Sequence, residues 1–157
     1  MSKRQCFPCT ACCEGWLTSA KIEMSPGSPC QHCTSQGCAI YESRPKEPCQ
    51  TFKCAWLRAD SELPDELRPD LCGAIVVQDQ EWRGWKVMRV SPTGVAIPES
   101  TLDWIKDFAV RKSIPLMFES HELENGKFGK TKILGYGPPD FVHAVQNTIT
   151  SGDVFKI

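Results

Sequence analysis

The chain has 157 residues, the size of one ordinary domain, which excludes a large multidomain enzyme. Eighteen Lys and Arg against nineteen Asp and Glu leave a formal net charge of -1. No strong positive field is therefore available to hold a phosphate backbone, and nucleic acid is not an expected partner. Hydrophobic residues make up 41%, yet no apolar run approaches the roughly 18 residues of a membrane span. The opening MSKRQCFPC has no stretch resembling a secretory signal, so the expected location is the cytoplasm, with no membrane partner.

Residues 1 to 58 read as loops, because Pro8, Pro26, Gly27, Pro29, Gly37, Pro45 and Pro48 interrupt any sustained period. Nine of the ten cysteines fall here, at 6, 9, 12, 13, 30, 33, 38, 49 and 54, and the tenth is Cys72. Counting Ile, Leu, Val, Met, Phe, Trp and Tyr gives 14 in residues 1–72 and 31 in residues 73–157. The first part is too poor in such residues to hold together easily by burial and needs staples. The expected division is a cysteine-cluster segment over 1–72 packed on an α+β core over 73–157 as one compact unit. The connector DSELPDELRPDLC, residues 60–72, holds Pro64 and Pro69 and suits one helical turn.

Beyond it, Ala74 to Gln78 and Trp85 to Ser91 are β-rich runs joined by a polar DQEWRG stretch, which predicts a hairpin. Ser100 opens a helical pattern with Leu102, Ile105, Phe108 and Ala109 on one side and Asp103 at the capping-box position, predicting a helix over 100–112. Ile114 to Glu119 and Thr131 to Tyr136 are two further apolar runs, with Asn125-Gly126 as a turn signal. Phe141, Val142, Val145 and Ile149 recur at helical spacing between Pro138-Pro139 and Gly152, and Val154 to Ile157 suits a terminal strand, whose exposed edge would permit pairing with a second copy. The expected class is α+β, a mainly antiparallel sheet with two helices in the order ββαββα, carrying a loop-rich, metal-stapled segment.

The cysteine spacing carries the chemistry. Cys6, Cys9 and Cys12 run C-x2-C-x2-C with Cys13 directly after, and Cys30-Gln31-His32-Cys33 repeats the interval before Cys38, Cys49 and Cys54. Thiolate sulfur is a soft donor, and a tetrahedral site needs four donors close together, which paired cysteines two residues apart provide on one turn of backbone. The competing readings are a disulfide framework, which an even count of ten permits, and buried free thiols. A reducing cytosol and the strained ring that an adjacent Cys12-Cys13 pair would close disfavour disulfides.

This arrangement resembles the YkgJ-type cysteine-cluster family, described as zinc- or iron-chelating. The likeness is carried by the N-terminal C-x2-C-x2-C-C, a following cysteine, Cys38-Ala39-Ile40-Tyr41-Glu42-Ser43-Arg44-Pro45, and then Cys49, Phe52 and Cys54. It covers residues 6 to 58 and implies eight metal ligands: Cys6, Cys9, Cys12, Cys13, Cys30, Cys38, Cys49 and Cys54. Cys33 and Cys72 fall outside the eight, and the gap from Arg44-Pro45 to Cys49 is one residue longer than the family pattern. A similar module occurs in flagellin lysine methylases.

Neighbouring residues do not easily direct both sulfurs at one ion, so Cys12 and Cys13 serve different metals or one sulfur bridges two. Ferredoxin spacing begins in the same way but separates its fourth cysteine, which favours zinc slightly over iron or an iron-sulfur cluster. Four thiolates on one zinc leave a charge of about -2, which Arg44 could offset from outside the ligand shell, with Tyr41 in the surrounding shell; a solvated surface arginine and plain packing are the competing readings. Cys33, His32 and Cys72 are possible further ligands. Eight deprotonated thiols and two divalent ions would take the formal charge to about -5, concentrated in the first part.

Other signals are weaker. Gly129-Lys130-Thr131 resembles the end of a phosphate-binding loop, but Glu124 stands where the pattern needs glycine, and a hairpin turn is the better reading. His121 and His143 have no interpretable catalytic partner. The sequence thus points to a zinc- or iron-chelating metalloprotein with a structural or metal-binding role. The alternatives are an iron-sulfur redox protein or oxidoreductase, a zinc-dependent protein-interaction module, and a thiol-disulfide protein. No substrate and no catalytic residue can be named.

Overall fold

The computed structural model describes residues 4–6, 8–150 and 153–157. A small hairpin pairs β1 (Cys33–Thr34) with β2 (Gly37–Cys38), and a short helix α1 (Pro69–Cys72) leads into the main sheet. That sheet is built from β3 (Ala74–Trp82), β4 (Trp85–Pro92), β5 (Leu116–Glu124) and β6 (Lys127–Tyr136), in spatial order β3-β4-β5-β6. Helix α2 (Glu99–Lys112) joins β4 to β5, and α3 (Pro139–Thr148) follows β6. The β3/β4 and β5/β6 pairs are antiparallel and β4/β5 is parallel, as a connection through a crossover helix requires. The protein is mixed α/β and its sheets are mostly antiparallel.

Both main hairpins close through two residues with positive φ, Arg83-Gly84 (47° and 84°) and Asn125-Gly126 (53° and 77°), the combination whose twist matches that of paired strands. The first strand is longer than its β-rich run suggests. Most of the polar DQEWRG stretch belongs to β3, which accommodates Asp79 at φ 56° in a register shift between Val77 and Gln80.

Cross-strand partners share a face of the sheet. Met88 lies opposite Leu116 and Val90 opposite Phe118, and this face packs with Ile105 and Phe108 of α2; Lys106 sits over the Phe118 ring. Val87 and Met117 point the other way, into a second cluster with Phe141 and Val145 of α3. Helix α3 comes close to the sheet at Gly135, where an added Cβ would lie 3.0 Å from a Val145 methyl. The rest of this second face is taken by distant parts of the chain. Trp16 stacks on His121 at 6.4 Å between ring centroids, and the Phe155 amide donates to Glu119 Oε1 at 2.9 Å.

Four local expectations are corrected. Helix α2 starts at Glu99, after Pro98, with no side-chain cap, because the proline already fixes the entry and leaves Ser100 inside the first turn; the Ser100–Asp103 capping box does not form. Gly129-Lys130-Thr131 lies within β6 and not in a turn, since the Asn125-Gly126 pair already closes that hairpin. Val154 to Ile157 is not an exposed edge strand: Phe155 is buried, the Ile157 amide donates to Thr18 O at 2.9 Å, and Lys156 bridges Thr18. The connector holds two short turns, Asp65–Leu67 and α1. Gly152, the expected stop of the last helix, lies outside the described residues, and α3 ends at Thr148.

Phe141 is fully buried and meets Trp82 and Trp85 edge-on at 6.0 and 5.4 Å. Phe141→Ala is expected to cost about 3–5 kcal/mol, read as a lowered urea midpoint; a loss below about 1 kcal/mol would show that α3 does not depend on this ring. Glu119 is the other sensitive point. Burial raises its pKa above the ordinary 4.5, although the Phe155 amide, Arg89 and the Ser91 hydroxyl pull the other way. The folded state therefore holds this proton more tightly than the unfolded one. That contribution is complete below the unfolded pKa and is lost as pH rises through the folded one. Between about pH 4 and about pH 7 the wild-type urea midpoint should fall relative to that of Glu119→Gln; parallel profiles would exclude a penalised charge.

Candidate metal centre

The cysteine segment is shaped by short turns. The Cys9 amide donates to Cys6 O at 2.5 Å, and the turn Cys12–Trp16 is broken at Gly15. Gly15 has φ 92°, and an added Cβ would collide with the Ser25 carbonyl oxygen; only glycine fits there. The Cys30 amide donates to Cys13 O at 2.8 Å and the Cys33 amide to Cys30 O at 3.0 Å. The His32 amide also points at Cys30 Sγ, at 3.5 Å. In the small hairpin Cys33 lies opposite Cys38. Cys49 sits on the turn Lys46–Gln50. Cys54 is held beside the sheet edge because the next residue, Ala55, donates its amide to Val76 O at 2.7 Å.

These turns bring Cys6, Cys9, Cys12, Cys13, Cys38, Cys49 and Cys54 onto the wall of one cavity of about 300 Å³. Tyr41, Arg44, Phe52, Trp56 and the C-terminal Ile157 line it as well. Cys30 is buried and does not line this cavity; its amide, which donates to Cys13 O, ties it to a residue that does. Cys33 faces a separate open cleft of about 450 Å³, shared with Glu14, Trp16 and Phe128. All ten cysteines are free thiols.

Burial dominates the electrostatics, since a thiolate loses more than a thiol on leaving water. Burial pushes the Cys12 thiol well above its ordinary range, and repulsion from Cys54, Cys9, Cys13 and Cys6 adds to it. Cys13 is pushed up to about 12 by burial and then by Cys33, Cys38, Cys30 and Cys49. Cys54 is pushed up to about 11 by burial, with Leu57 and Trp56 backbone donors opposing and Cys6 and Cys9 reinforcing. Burial also raises Cys6 and Cys49, and in both the Arg44 guanidinium pulls back towards the thiolate. Arg44 is fixed over the Tyr41 ring at 3.9 Å and donates to Tyr41 O at 2.7 Å.

Of the further candidates, Cys72 is buried at the foot of β3, its Sγ 3.3 Å from Ala74 O. His32 contributes its backbone, whose carbonyl accepts from the Ala39 amide at 2.8 Å. Among the described residues, no three His, Cys, Asp or Glu side chains converge tightly enough to hold an ion as they stand; binding would have to draw sulfurs inward from the cavity wall. Whether the residues suit a cation is best judged from Trp56. This ring is 7% exposed, lines the cavity, and its Nε1–H has no hydrogen-bond partner among the described residues. An unmet donor beside thiols that resist ionisation fits a centre whose sulfurs become anionic on binding. Trp56 is one of five tryptophans whose type suits core packing or shielding of a metal site; what sets it apart is its cavity neighbours, which run from Gln5 to Ile157 and leave no local pattern.

No family model matches the chain, and no curated protein or solved structure matches it either.

Exposure and the upward shift of the inner thiols together set an order of reactivity for the folded, metal-free chain. Iodoacetamide at about pH 8 should label the exposed Cys6 first and Cys12 and Cys54 last, roughly tenfold or more apart, with urea removing the difference. Peptide mass analysis over time reads the order; labelling of Cys12 as fast as Cys6 would show that the cavity does not protect its inner wall.

Proposed function

We propose that this protein binds metal through its cysteine cluster, with zinc the favoured ion and a structural role for it. The observation that carries the reading is the gathering of seven cysteines, from positions 6 to 54, onto one cavity wall beside Arg44 and the unpartnered Trp56 N–H. Cys30, bound through its amide to Cys13 O, completes the eight. Zinc accepts four thiolates and needs no particular d-electron geometry, and a shell made only of sulfur leaves no position for water. The bound ion would staple residues 6–54, a segment with too few apolar side chains to fix its own shape. Arg44 would offset the excess negative charge, and Tyr41 would hold Arg44 in place.

Binding reverses the thiol protonation, so it releases protons and tightens as pH rises. A set of free thiols of this size persists in a reducing compartment, which fits the cytoplasm. The donor set contains no group arranged to activate a substrate, and the metal itself is the partner proposed.

The test is elemental analysis and acid-labile sulfide on protein purified without oxygen, followed by chelation. Zinc without sulfide is expected, with proton release on reloading and loss of the near-ultraviolet signal of Trp16 and Trp56 on removal. Iron with equivalent sulfide would replace zinc by an iron-sulfur cluster. Full-length protein that holds neither metal, even after anaerobic reconstitution, would remove the proposal.

A further inference from the structure

Resting on the metal-binding reading above, we infer that the cysteines form two adjacent four-sulfur sites divided at the Cys12–Cys13 peptide: Cys6, Cys9, Cys12 and Cys54 in one, Cys13, Cys30, Cys38 and Cys49 in the other. Packing makes the division. Cys54 belongs to the main hydrophobic core, and Cys9 and Cys12 pack against it. Cys6 is joined to them by the turn in which the Cys9 amide donates to its carbonyl at 2.5 Å, and none of Cys13, Cys30, Cys38 and Cys49 packs against that core. The second group is tied together through backbone: the Cys30 amide binds Cys13 O at 2.8 Å, the turn from Cys30 enters β1, and Cys38 returns on β2. Cys49 follows on the turn Lys46–Gln50, which the Gln50 side chain ties to Arg44 O at 2.7 Å after the Cys38 strand, and it lines the cavity with Cys13 and Cys38.

Adjacent side chains on a turn diverge, so two neighbouring cysteines can each enter a different shell, with the peptide between them as the partition. Cys33 also lies near the second group, but it faces the open cleft and stands outside the set. Cys72 is occupied by backbone carbonyls and stands outside the first. Arg44 lines the same cavity as Cys6 of one group and Cys49 of the other, so one guanidinium would serve both centres.

The test counts zinc per full-length chain in three double variants built from exposed or half-buried cysteines, which spares the core. Wild type should hold two ions. Cys6→Ser/Cys9→Ser should keep one, Cys38→Ser/Cys49→Ser should keep one, and the mixed Cys6→Ser/Cys38→Ser should keep none. Replacing zinc by cobalt(II) gives a second readout, since the thiolate charge-transfer absorbance should halve in the first two variants and vanish in the third. Cys33→Ser should retain both ions. Loss of all metal in both unmixed variants would mean one shared cluster and overturn the division, and a mixed variant that keeps an ion would overturn the grouping. Loss of an ion in Cys33→Ser would overturn the assignment of the second set. In each of these cases thiolate binding itself survives. Wild type that binds neither zinc nor cobalt would overturn both the division and the metal-binding reading beneath it.

Discussion

Everything about the cysteine segment depends on its docking against the edge and second face of the main sheet. Strand β3 is an edge of the four-stranded order, and an uncovered edge carries unpaired amides and carbonyls. The Ala55 amide takes one of these carbonyls, from Val76. Leu17, Ala55 and Trp56 are buried in the same cluster as Ile75 and Val90. From the opposite end of the chain, Phe155 packs near Phe52 and Ile157 binds Thr18. Arg4 completes the clasp by donating to Trp56 O and Leu63 O while covering the Trp56 ring. A segment without regular structure of its own is thus held at several points by elements far from it in sequence.

That clasp creates two environments along a run of a few residues. Cys9 and Cys12 lie where the core ends, and Cys13 lies where the loops begin. On both sides of that boundary, Cys12 and Cys13 are disfavoured as anions by burial first and by neighbouring thiols second. Without a cation, burial favours the protonated form of Cys6, Cys9, Cys12, Cys13, Cys49 and Cys54. This couples the chemistry of the sulfurs to the shape of the cavity, because any ion that binds must both displace protons and draw the walls inward. Arg44 contributes from the mouth, where its stacking on Tyr41 limits its freedom.

Regular elements of the second part were legible in the sequence for local reasons. Asn125-Gly126 fixes a two-residue turn because both positions tolerate positive φ, and the spacing of Ile105, Phe108 and Ala109 marks the buried face of α2. The failures also have physical causes. Ser100 carries the chemistry of a cap, but Pro98 sets the start of the helix one turn position earlier. Val154 to Ile157 has strand composition, yet its partners are the Glu119 carboxylate and the Thr18 backbone, neither of which a local pattern can announce.

For the candidate site, the sequence by itself determined which residues carry sulfur, and the single rigid peptide between Cys12 and Cys13 makes it hard for both sulfurs to reach one ion. Tertiary structure alone decided which sulfurs are neighbours. Cys54 joins the wall of Cys6, Cys9 and Cys12 because the Ala55 amide binds the sheet edge, and Cys33 turns towards the open cleft while Cys38, opposite it in the hairpin, enters the cavity. Spacing fixes reach over a few residues, whereas proximity across 40 or more residues is set by what the intervening chain packs against.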